Sequence, residues 1–245
     1  MMPFRIMMLG VGNGFSKKTY NNNALLESKG AYFLIDCGVT AWSSLADINM
    51  DFENISGIFL THLHYDHCGG LDEAALYGAY VAGRKLKLWV PAPLKPVLWE
   101  QTLRGRLEDP AGGNTRLEHF FEIHWVKERE IFSLNGLSAY WLQTEHVPSR
   151  FSCSLVLDGR FFYSGDMVEN KLLIERLIRE GINVFYHDVQ FKHAVVHASF
   201  KGLLSYPEAV RKQLYLMHYS ELPAGWNPND LNGMNLLRQH EWLSW

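Results

Sequence analysis

Three histidines and one aspartate fall within six consecutive positions of the sequence, His62-Leu63-His64-Tyr65-Asp66-His67. They follow the apolar run Ile58-Phe59-Leu60, which is typical of a buried strand. Titratable groups at the end of a buried strand must be paired or pay a desolvation cost. A zinc-like divalent ion removes that cost, because neutral imidazoles and ionised carboxylates are its preferred ligands. The pattern therefore predicts a metal site rather than a cluster of histidines satisfied by their neighbours.

The order of these residues, His-x-His-x-Asp-His after a strand, resembles the signature of the metallo-β-lactamase fold superfamily. That family takes its remaining metal ligands from far downstream, each near the end of a strand. The sequence supplies candidates in the expected order: His146 after the apolar run 137–142, Asp166 in a Gly-Asp step, and His218 after residues 214–217. Ligand positions that agree in order over most of a chain are more specific than one short motif.

The resemblance implies a centre that holds two Zn²⁺ ions per chain, with Mn²⁺ as the alternative. By the same resemblance, the ions would be held by His62, His64 and His146 on one side and by Asp66, His67 and His218 on the other, with Asp166 as the bridge. Two ions about 3.5–4 Å apart acidify a shared water, so that hydroxide forms at neutral pH. Asp66 would also orient that hydroxide and is therefore a predicted catalytic residue.

A second group of residues narrows the class of hydrolase. The segments His187-Asp188, His197-Ala198-Ser199 and His218-Tyr219-Ser220 resemble the later motifs of ribonuclease Z, the tRNA 3′-processing endonuclease, and of its phosphodiesterase relatives. In that branch an acidic residue and a histidine form a relay near the leaving oxygen. The resemblance implies that Asp188 raises the basicity of His197 and that His197 protonates the alkoxide. The branch usually has Glu where this chain has Asp188, and the alternative is a loop histidine that merely hydrogen-bonds a nearby aspartate.

Charge along the chain favours a small substrate over a large RNA. The net charge is −3, and in the interval between the metal motif and His146 the acidic and basic residues nearly cancel. Phosphate contacts dominate affinity for nucleic acids, and a tRNA-processing enzyme usually projects a basic arm. The chain instead looks like the small phage and bacterial cyclic nucleotide phosphodiesterases of the anti-Pycsar type, which implies hydrolysis of a 3′,5′-cyclic nucleotide to a nucleoside monophosphate. The alternative is a ribonuclease Z-like tRNA 3′-end processing endonuclease.

Other functions of the superfamily fit the residues less well. β-Lactam hydrolysis needs no such relay, and its enzymes are typically secreted. Glyoxalase-type thioesterases and persulfide dioxygenases share the metal motif but lack the late histidine and aspartate pair. No nucleophile motif such as Gly-x-Ser-x-Gly is present in the sequence, and a non-catalytic binding module would not need seven ligand positions. We therefore predict a metal-dependent phosphodiesterase.

Length and composition indicate the number of domains and the cellular compartment. With 245 residues, 47% of them hydrophobic, and ligands that run from 62 to 218, we predict a single domain over residues 1–245. The three cysteines, Cys37, Cys68 and Cys153, form no Cys-x-x-Cys motif, which suits free thiols in a reducing compartment. Cys68 follows His67 directly, but we interpret it as a small buried hydrophobe. Residues 1–14 lack a signal-peptide layout and no apolar run approaches the roughly 20 residues of a membrane span, so we expect a cytoplasmic protein.

The apolar runs predict strands that alternate with helices. We expect strands at 4–9, 24–28, 32–36, 86–90 and 183–186, a strand-rich segment at 121–157, and helices at 70–82, 94–107 and 171–180. A capping box at Ser205 to Glu208 predicts a short helix, and the glycine run at 10–14 predicts a turn that forms one wall of the site. The resemblance implies an α/β fold, the αββα sandwich, with two sheets face to face, helices outside and the metals at one edge.

Aromatic residues concentrate near the end of the sequence. They are Tyr215, Tyr219, Trp226, Trp242 and Trp245. Singly, such residues belong to a core or cover it, but as a set they offer apolar surface for an interface. Homodimers are the commonest closed assembly. We therefore predict a homodimer in which the loops of one subunit close over the metals of the other.

Overall fold

The computed structural model describes residues 3–192, 194–219 and 221–245, and these residues form fourteen strands in two sheets of seven. In chain order the strands are β1 (Arg5–Met8), β2 (Ala24–Ser28), β3 (Ala31–Ile35), β4 (Ile55–Phe59), β5 (Leu86–Pro91), β6 (Phe121–Val126), β7 (Phe132–Leu134), β8 (Leu137–Gln143), β9 (Cys153–Leu157), β10 (Phe161–Tyr163), β11 (Val184–Asp188), β12 (Leu214–Met217), β13 (Asn235–Leu236) and β14 (Trp242–Ser244).

Eight α-helical segments accompany the strands in the described part of the chain. They are α1 (Ala41–Asp47), α2 (Tyr65–Cys68), α3 (Leu71–Tyr80), α4 (Lys95–Val97), α5 (Arg104–Leu107), α6 (Lys171–Arg179), α7 (Phe200–Leu203) and α8 (Glu208–Arg211). Short 3₁₀ turns cover Ala92–Leu94, Leu117–His119 and Pro228–Leu231, and a π-helical turn covers Leu98–Leu103. No helix among the described residues has the length and the apolar character needed to cross a membrane.

Strand direction decides where the site lies. The first sheet has the order β14-β1-β2-β3-β4-β5-β6, and the second has the order β13-β12-β11-β10-β9-β8-β7. The strands β3 to β6 run parallel in the first sheet, and β10 to β13 run parallel in the second. Because the carboxyl ends of parallel strands meet at one edge, the segments that follow them are collected there.

The two sheets pack against each other and against helices. Successive strand residues point to opposite faces. In β2, Leu26 belongs to a cluster with residues of the second sheet, whereas Leu25 belongs to a cluster with Leu45 of α1 and Leu71 of α3. Ile174 of α6 joins the cluster of the second sheet. This layering is the αββα sandwich that the family resemblance implied.

Most predicted elements lie within one or two residues of the observed ones. The strand at 24–28 and the start of the helix at 171 agree fully, and Asn170 caps that helix by accepting a hydrogen bond from the N–H of Leu173. Within the helix, Ile174 and Leu177 are buried, whereas Leu172 is exposed.

Two local predictions were wrong or incomplete. The capping box was wrong, because Ser205 Oγ donates to the carbonyl of Gly202 and the short helix begins after Pro207, whose side chain caps nothing. The predicted helix at 94–107 is helical but not uniform. Its middle, Leu98–Leu103, is π-helical between two α segments, and such turns are often found at functional sites.

The C-terminal aromatic residues pack onto the core of the molecule. Trp245 contacts the rings of Phe161, Tyr186 and Tyr215, with ring centroids 5.1–6.1 Å apart. Trp226 packs against Phe191 and Phe200 instead. These rings therefore cover the second sheet, and their role in an interface stays a prediction.

Candidate metal centre

The structure brings all seven predicted ligand residues together at one edge of the sandwich. One group consists of His62, His64, His146 and Asp166, whose ligand atoms lie within 4.8 Å of one another. A second group consists of Asp66, His67 and His218 and meets the same limit. A third group, Asp166, Asp188, His197 and His218, meets the same limit, and the first two groups match the division that the sequence resemblance implied. The geometry is therefore compatible with the predicted pair of ions.

Strand ends place these residues. His62 and His64 follow β4, His146 follows β8, Asp166 follows β10, and His218 directly follows β12. Asp66 and His67 lie on the single turn of α2. Gly38 allows that turn to pack closely, because a Cβ there would lie 1.9 Å from the carbonyl oxygen of Asp66. Side chains that are far apart in sequence therefore converge because the sheets end together.

Asp166 stands between the two groups. Its Oδ2 lies 3.6 Å from Nε2 of His62 and 3.6 Å from Nε2 of His146. Its Oδ1 lies 3.2 Å from Nε2 of His67 and 3.3 Å from Nε2 of His218. Each carboxylate oxygen thus faces a different group of histidines, which is the arrangement that a bridging ligand needs.

Two buried polar atoms in this gap have no hydrogen-bond partner among the described residues. They are Nε2 of His67 and Oδ1 of Asp166. Leaving such atoms unpaired costs free energy, and native proteins rarely do so without a reason such as an ion. Histidine nitrogens and carboxylate oxygens form the donor set of zinc and its neighbours. The residues therefore fit the implied metals.

Burial sets the protonation of the first group. It lowers the pKa of His62 well below the ordinary value, and it also lowers the pKa of His64 and of His146. These imidazoles are therefore neutral at pH 7, which is the form that binds a metal ion.

The second group concentrates charge. Burial alone would raise the pKa of Asp66, but the charge of His67 and a hydrogen bond from His218 hold it far below the usual range. Burial alone would lower the pKa of His67, but the carboxylates of Asp166, Asp66 and Asp36 raise it well above the usual value. The carboxylates therefore favour a positive charge at this position, which either a protonated His67 or a divalent ion supplies.

Asp36 orients His67, and the sequence reasoning missed it. Its Oδ2 lies 2.7 Å from Nδ1 of His67, while the N–H and the hydroxyl of Thr61 donate to its two oxygens at 2.8 Å. A carboxylate on Nδ1 fixes the ring so that Nε2 faces the centre. The signal was present, since Asp36 is a charged residue directly after the apolar strand β3.

The predicted relay residues also lie at the centre. Nδ1 of His197 is 2.8 Å from Oδ2 of Asp188 and 3.8 Å from Oδ2 of Asp166. The ring of His197 lies between His146 and His218, with centroids 4.7 and 4.9 Å away. It therefore touches one ligand residue of each group. Ser220, the last residue of the third relay-type segment, lies outside the described residues.

Cys68 and the glycine-rich turn occupy the places that the sequence suggested. Cys68 is buried, and burial raises the pKa of its thiol to about 12, so that it stays protonated and belongs to neither ligand group. A Cβ at Gly14 would lie 3.1 Å from the carboxylate of Asp66, and the hydroxyl of Tyr65 donates to the carbonyl of Gly14. The turn thus forms one wall of the site.

A cleft of about 690 Å³ opens from the first ligand group. It runs between the helical segment 93–106 and the turn at residues 147–150, and its apolar lining includes Leu63, Leu94 and Phe151. Its lining contains the cations Arg106 and Arg150 but no aspartate or glutamate. Arg106 is paired with Asp72 at 3.0 Å, whereas the guanidinium of Arg150 has no partner among the described residues. The sequence reasoning did not identify this cleft.

Solved structures confirm the fold. The metallo-β-lactamase fold protein YhfI from Bacillus subtilis superposes with a TM-score of 0.76 over 100% of both chains, at 15% sequence identity. At that identity the likeness concerns the fold alone.

Sequence comparison shows the family. A family model described as anti-Pycsar protein Apyc1 matches residues 4–243. An anti-Pycsar protein Apyc1 from Paenibacillus harenae is 42% identical over 221 residues, which cover 88% of this chain and 90% of the relative. Another from Bacillus phage vB_BsuM-Goe3 is 36% identical over 232 residues, with 89% of each chain covered. The chain therefore belongs to the anti-Pycsar protein Apyc1 family.

Proposed function

We propose that the protein is a dinuclear-metal phosphodiesterase that hydrolyses small 3′,5′-cyclic nucleotides to nucleoside monophosphates. The observation that carries the proposal is the position of Asp166, whose two oxygens face two separate groups of histidines. His62, His64 and His146 would hold one Zn²⁺ ion, Asp66, His67 and His218 the other, and Asp166 would bridge them. Mn²⁺ is the alternative metal.

The chemistry supplied by two bound ions is Lewis acidity, which lowers the pKa of water and neutralises charge on phosphodiester oxygens. The pKa of Asp66 is held far below its usual range, so its ionised carboxylate can accept a hydrogen bond from the attacking water and orient it. Asp36 holds the ring of His67, which keeps that side of the centre rigid. The chain thus provides orientation as well as ligands.

His197 and Asp188 serve the leaving group in this proposal. The Nδ1–H of His197 donates to Oδ2 of Asp188, which leaves Nε2 to hold the proton that the departing alkoxide takes. Burial lowers the pKa of His197, while burial and the charge of Asp166 raise the pKa of Asp188. A lowered pKa makes the protonated imidazole of His197 a stronger acid towards the leaving oxygen.

The cleft supports a small anionic substrate with an apolar part. A volume of about 690 Å³ lies within the usual range of small-ligand pockets. Its arginines and its lack of carboxylates favour an anion although the chain as a whole is acidic. Leu63, Leu94 and Phe151 offer apolar surface for a nucleobase. A long RNA would need a larger basic surface.

A substrate screen tests the proposal. The protein is loaded with Zn²⁺ or Mn²⁺ and assayed on 3′,5′- and 2′,3′-cyclic nucleotides, cyclic dinucleotides and precursor tRNA, with Asp166→Asn as the control for contaminating activity. We expect 3′,5′-cyclic nucleotides to yield nucleoside monophosphates, and the control to yield none. Efficient cleavage of precursor tRNA with no turnover of cyclic nucleotides would favour the tRNA-processing endonuclease instead.

A further inference from the structure

His218 holds a backbone conformation that a histidine rarely adopts. Its φ is +59°, in the left-handed region that favours glycine, and it directly follows β12. The residue is also buried. A strained conformation of this kind persists only where its surroundings hold it, and such residues cluster at functional sites.

Two side-chain amides hold both backbone polar groups of His218. The N–H of His218 donates to Oδ1 of Asn22 at 3.2 Å. Nε2 of Gln190 donates to the carbonyl oxygen of His218 at 2.6 Å and lies 3.4 Å from Nδ1 of its ring. Asn22 and Gln190 are buried and lie far apart in the sequence. The left-handed conformation is therefore fixed from both sides.

Other bonds fix the two amides in turn. Nδ2 of Asn22 donates to the hydroxyl of Tyr163 at 3.0 Å. Nδ2 of Asn13 donates to Oε1 of Gln190 at 3.2 Å. These contacts determine which way each amide points, so that Asn22 presents its oxygen and Gln190 presents its nitrogen to His218. Loss of either amide leaves a buried backbone group of His218 without a partner.

We infer that Asn22 and Gln190 are positioning residues that aim the ring of His218 at the second ligand group. Nε2 of His218 lies 3.4 Å from Oδ2 of Asp66 and 3.3 Å from Oδ1 of Asp166. A small rotation of the backbone at His218 moves that nitrogen out of the group. Among the described residues, neither amide side chain is hydrogen-bonded to the first ligand group, His62, His64 and His146. This inference rests on the proposed two-metal centre. It assigns to Asn22 and Gln190 a role in the metal affinity of the site that contains His218.

The test measures metal binding rather than turnover. Gln190→Met and Asn22→Leu keep approximate side-chain volume but remove the hydrogen bonds. We expect each substitution to lower the affinity for one of the two ions by about 10–100-fold, which is the range found when groups that orient a metal ligand are lost. Competition with a graded series of chelators resolves the two binding steps. Ser44→Ala is the matched control, because Ser44 is also buried and donates to the carbonyl of Leu9 outside the centre.

Asn13→Ala provides a second, milder variant, because Asn13 is only partly buried and acts through Gln190. Asn13→Ala should lower the affinity for the same ion by a smaller factor and leave the circular dichroism spectrum unchanged. Two ions held with wild-type affinity in Gln190→Met and Asn22→Leu would overturn the inference. Equal weakening of both ions would also overturn it, since the role would then be structural. A wild-type protein that binds no ion would instead refute the metal centre itself.

Discussion

Nδ1 of His197 lies 2.8 Å from Oδ2 of Asp188, so the shorter carboxylate reaches the histidine without an intervening water. The backbone brings the two together. Asp188 ends β11, and the N–H of Gln190 donates to the carbonyl of Ala198 at 2.8 Å, which folds the next loop back onto the strand. The N–H of Ala198 also lies 3.4 Å from Oδ1 of Asp188. The replacement of Glu by Asp is thus compensated by the path of the loop.

This contact predicts the leaving-group dependence of His197→Ala. General-acid help is worth about 10²–10⁴-fold for a poor leaving group, and an activated aryl ester needs little of it. We therefore expect a large loss of kcat on a cyclic nucleotide and a small loss on a bis-aryl phosphodiester. Asp188→Asn should show the same pattern more weakly. Equal losses on both substrates would mean that His197 binds the phosphate or supports the fold.

Asp66→Asn should abolish turnover while the protein still folds. Asp66 lies on the single turn of α2 beside the cleft, and the substitution keeps its volume. Loss of an orienting group alone costs about 10–100-fold, so loss of a ligand should cost more. Kinetics with metal analysis measure the effect, and Asp47→Asn, an exposed residue of α1, is the control. His67→Ala should be inactive too, but less stable, because it leaves Asp36 buried without its partner. Wild-type rates in both variants would remove Asp66 from the mechanism.

The sequence, through the family resemblance of its motifs, was enough to predict the fold and to name the candidate ligands that the structure brings together. The motif at His62 to His67 comes after β4, and each later candidate comes after another strand end, which is the order that the family resemblance places at one edge of the sandwich. Cys68 was also interpreted correctly as a buried thiol. These predictions could be made because each depends on only a few consecutive residues.

Contacts between distant segments could not be predicted in this way. Asn22, Gln190 and His218 meet although 196 positions separate the outer two. No local sequence pattern indicates that His218 takes a left-handed conformation, because histidine is not the residue type that usually marks such a position. The capping box at Ser205 failed for a related reason. Pro207 fixes the start of that helix, while the hydroxyl of Ser205 turns back to the preceding helix.

Arg150→Ala should raise KM for cyclic nucleotides. Arg150 lines the cleft next to Phe151, and it follows Ser149, whose φ of +65° gives the turn a fixed shape. A hydrogen bond to a charged group contributes about 1.5–3 kcal/mol, so KM should rise about 10-fold or more with little change in kcat. A bis-aryl phosphodiester carries the same anionic phosphate, so its KM should rise as well. Arg179→Ala on the outer helix α6 is the control, and an unchanged KM for every cyclic nucleotide would exclude contact with substrate.

Exposed apolar side chains near the site predict a homodimer. Phe15 is 84% exposed and Val195 is 86% exposed, and both belong to loops that border the ligand residues. A monomer would leave this surface in water. Light scattering at micromolar concentration should show two chains, and Phe15→Asp should shift the equilibrium towards one. Ile131→Asp, at a residue 73% exposed before β7, should have no effect. If the wild-type protein is a monomer at this concentration, the loops of one subunit do not close over the metals of another, and the prediction is wrong.

His187 predicts a loss of stability in mild acid. The side chain is fully buried, its Nδ1–H donates to the carbonyl of Asp188 at 2.8 Å, and its Nε2 has no partner among the described residues. Burial lowers its pKa to about 4. The unfolded chain binds a proton at this residue below about pH 6.5, whereas the folded protein does not until about pH 4. The free energy of unfolding should therefore fall as the pH drops from 6.5 towards 4, and this residue contributes no further loss below that.

The expected contribution between pH 6.5 and 4.5 is about 2 kcal/mol by proton linkage. Urea unfolding of the metal-free protein at several pH values measures it, with His187→Gln as the comparison. Glutamine can still donate to the carbonyl of Asp188, but it does not titrate. The difference between the two proteins removes the contribution of every other titrating group, including the candidate ligands. We expect the slope of stability against pH to be shallower in His187→Gln over this interval. Parallel slopes would show that His187 is protonated in the folded protein, with Glu169 or Asp188 as the compensating charge.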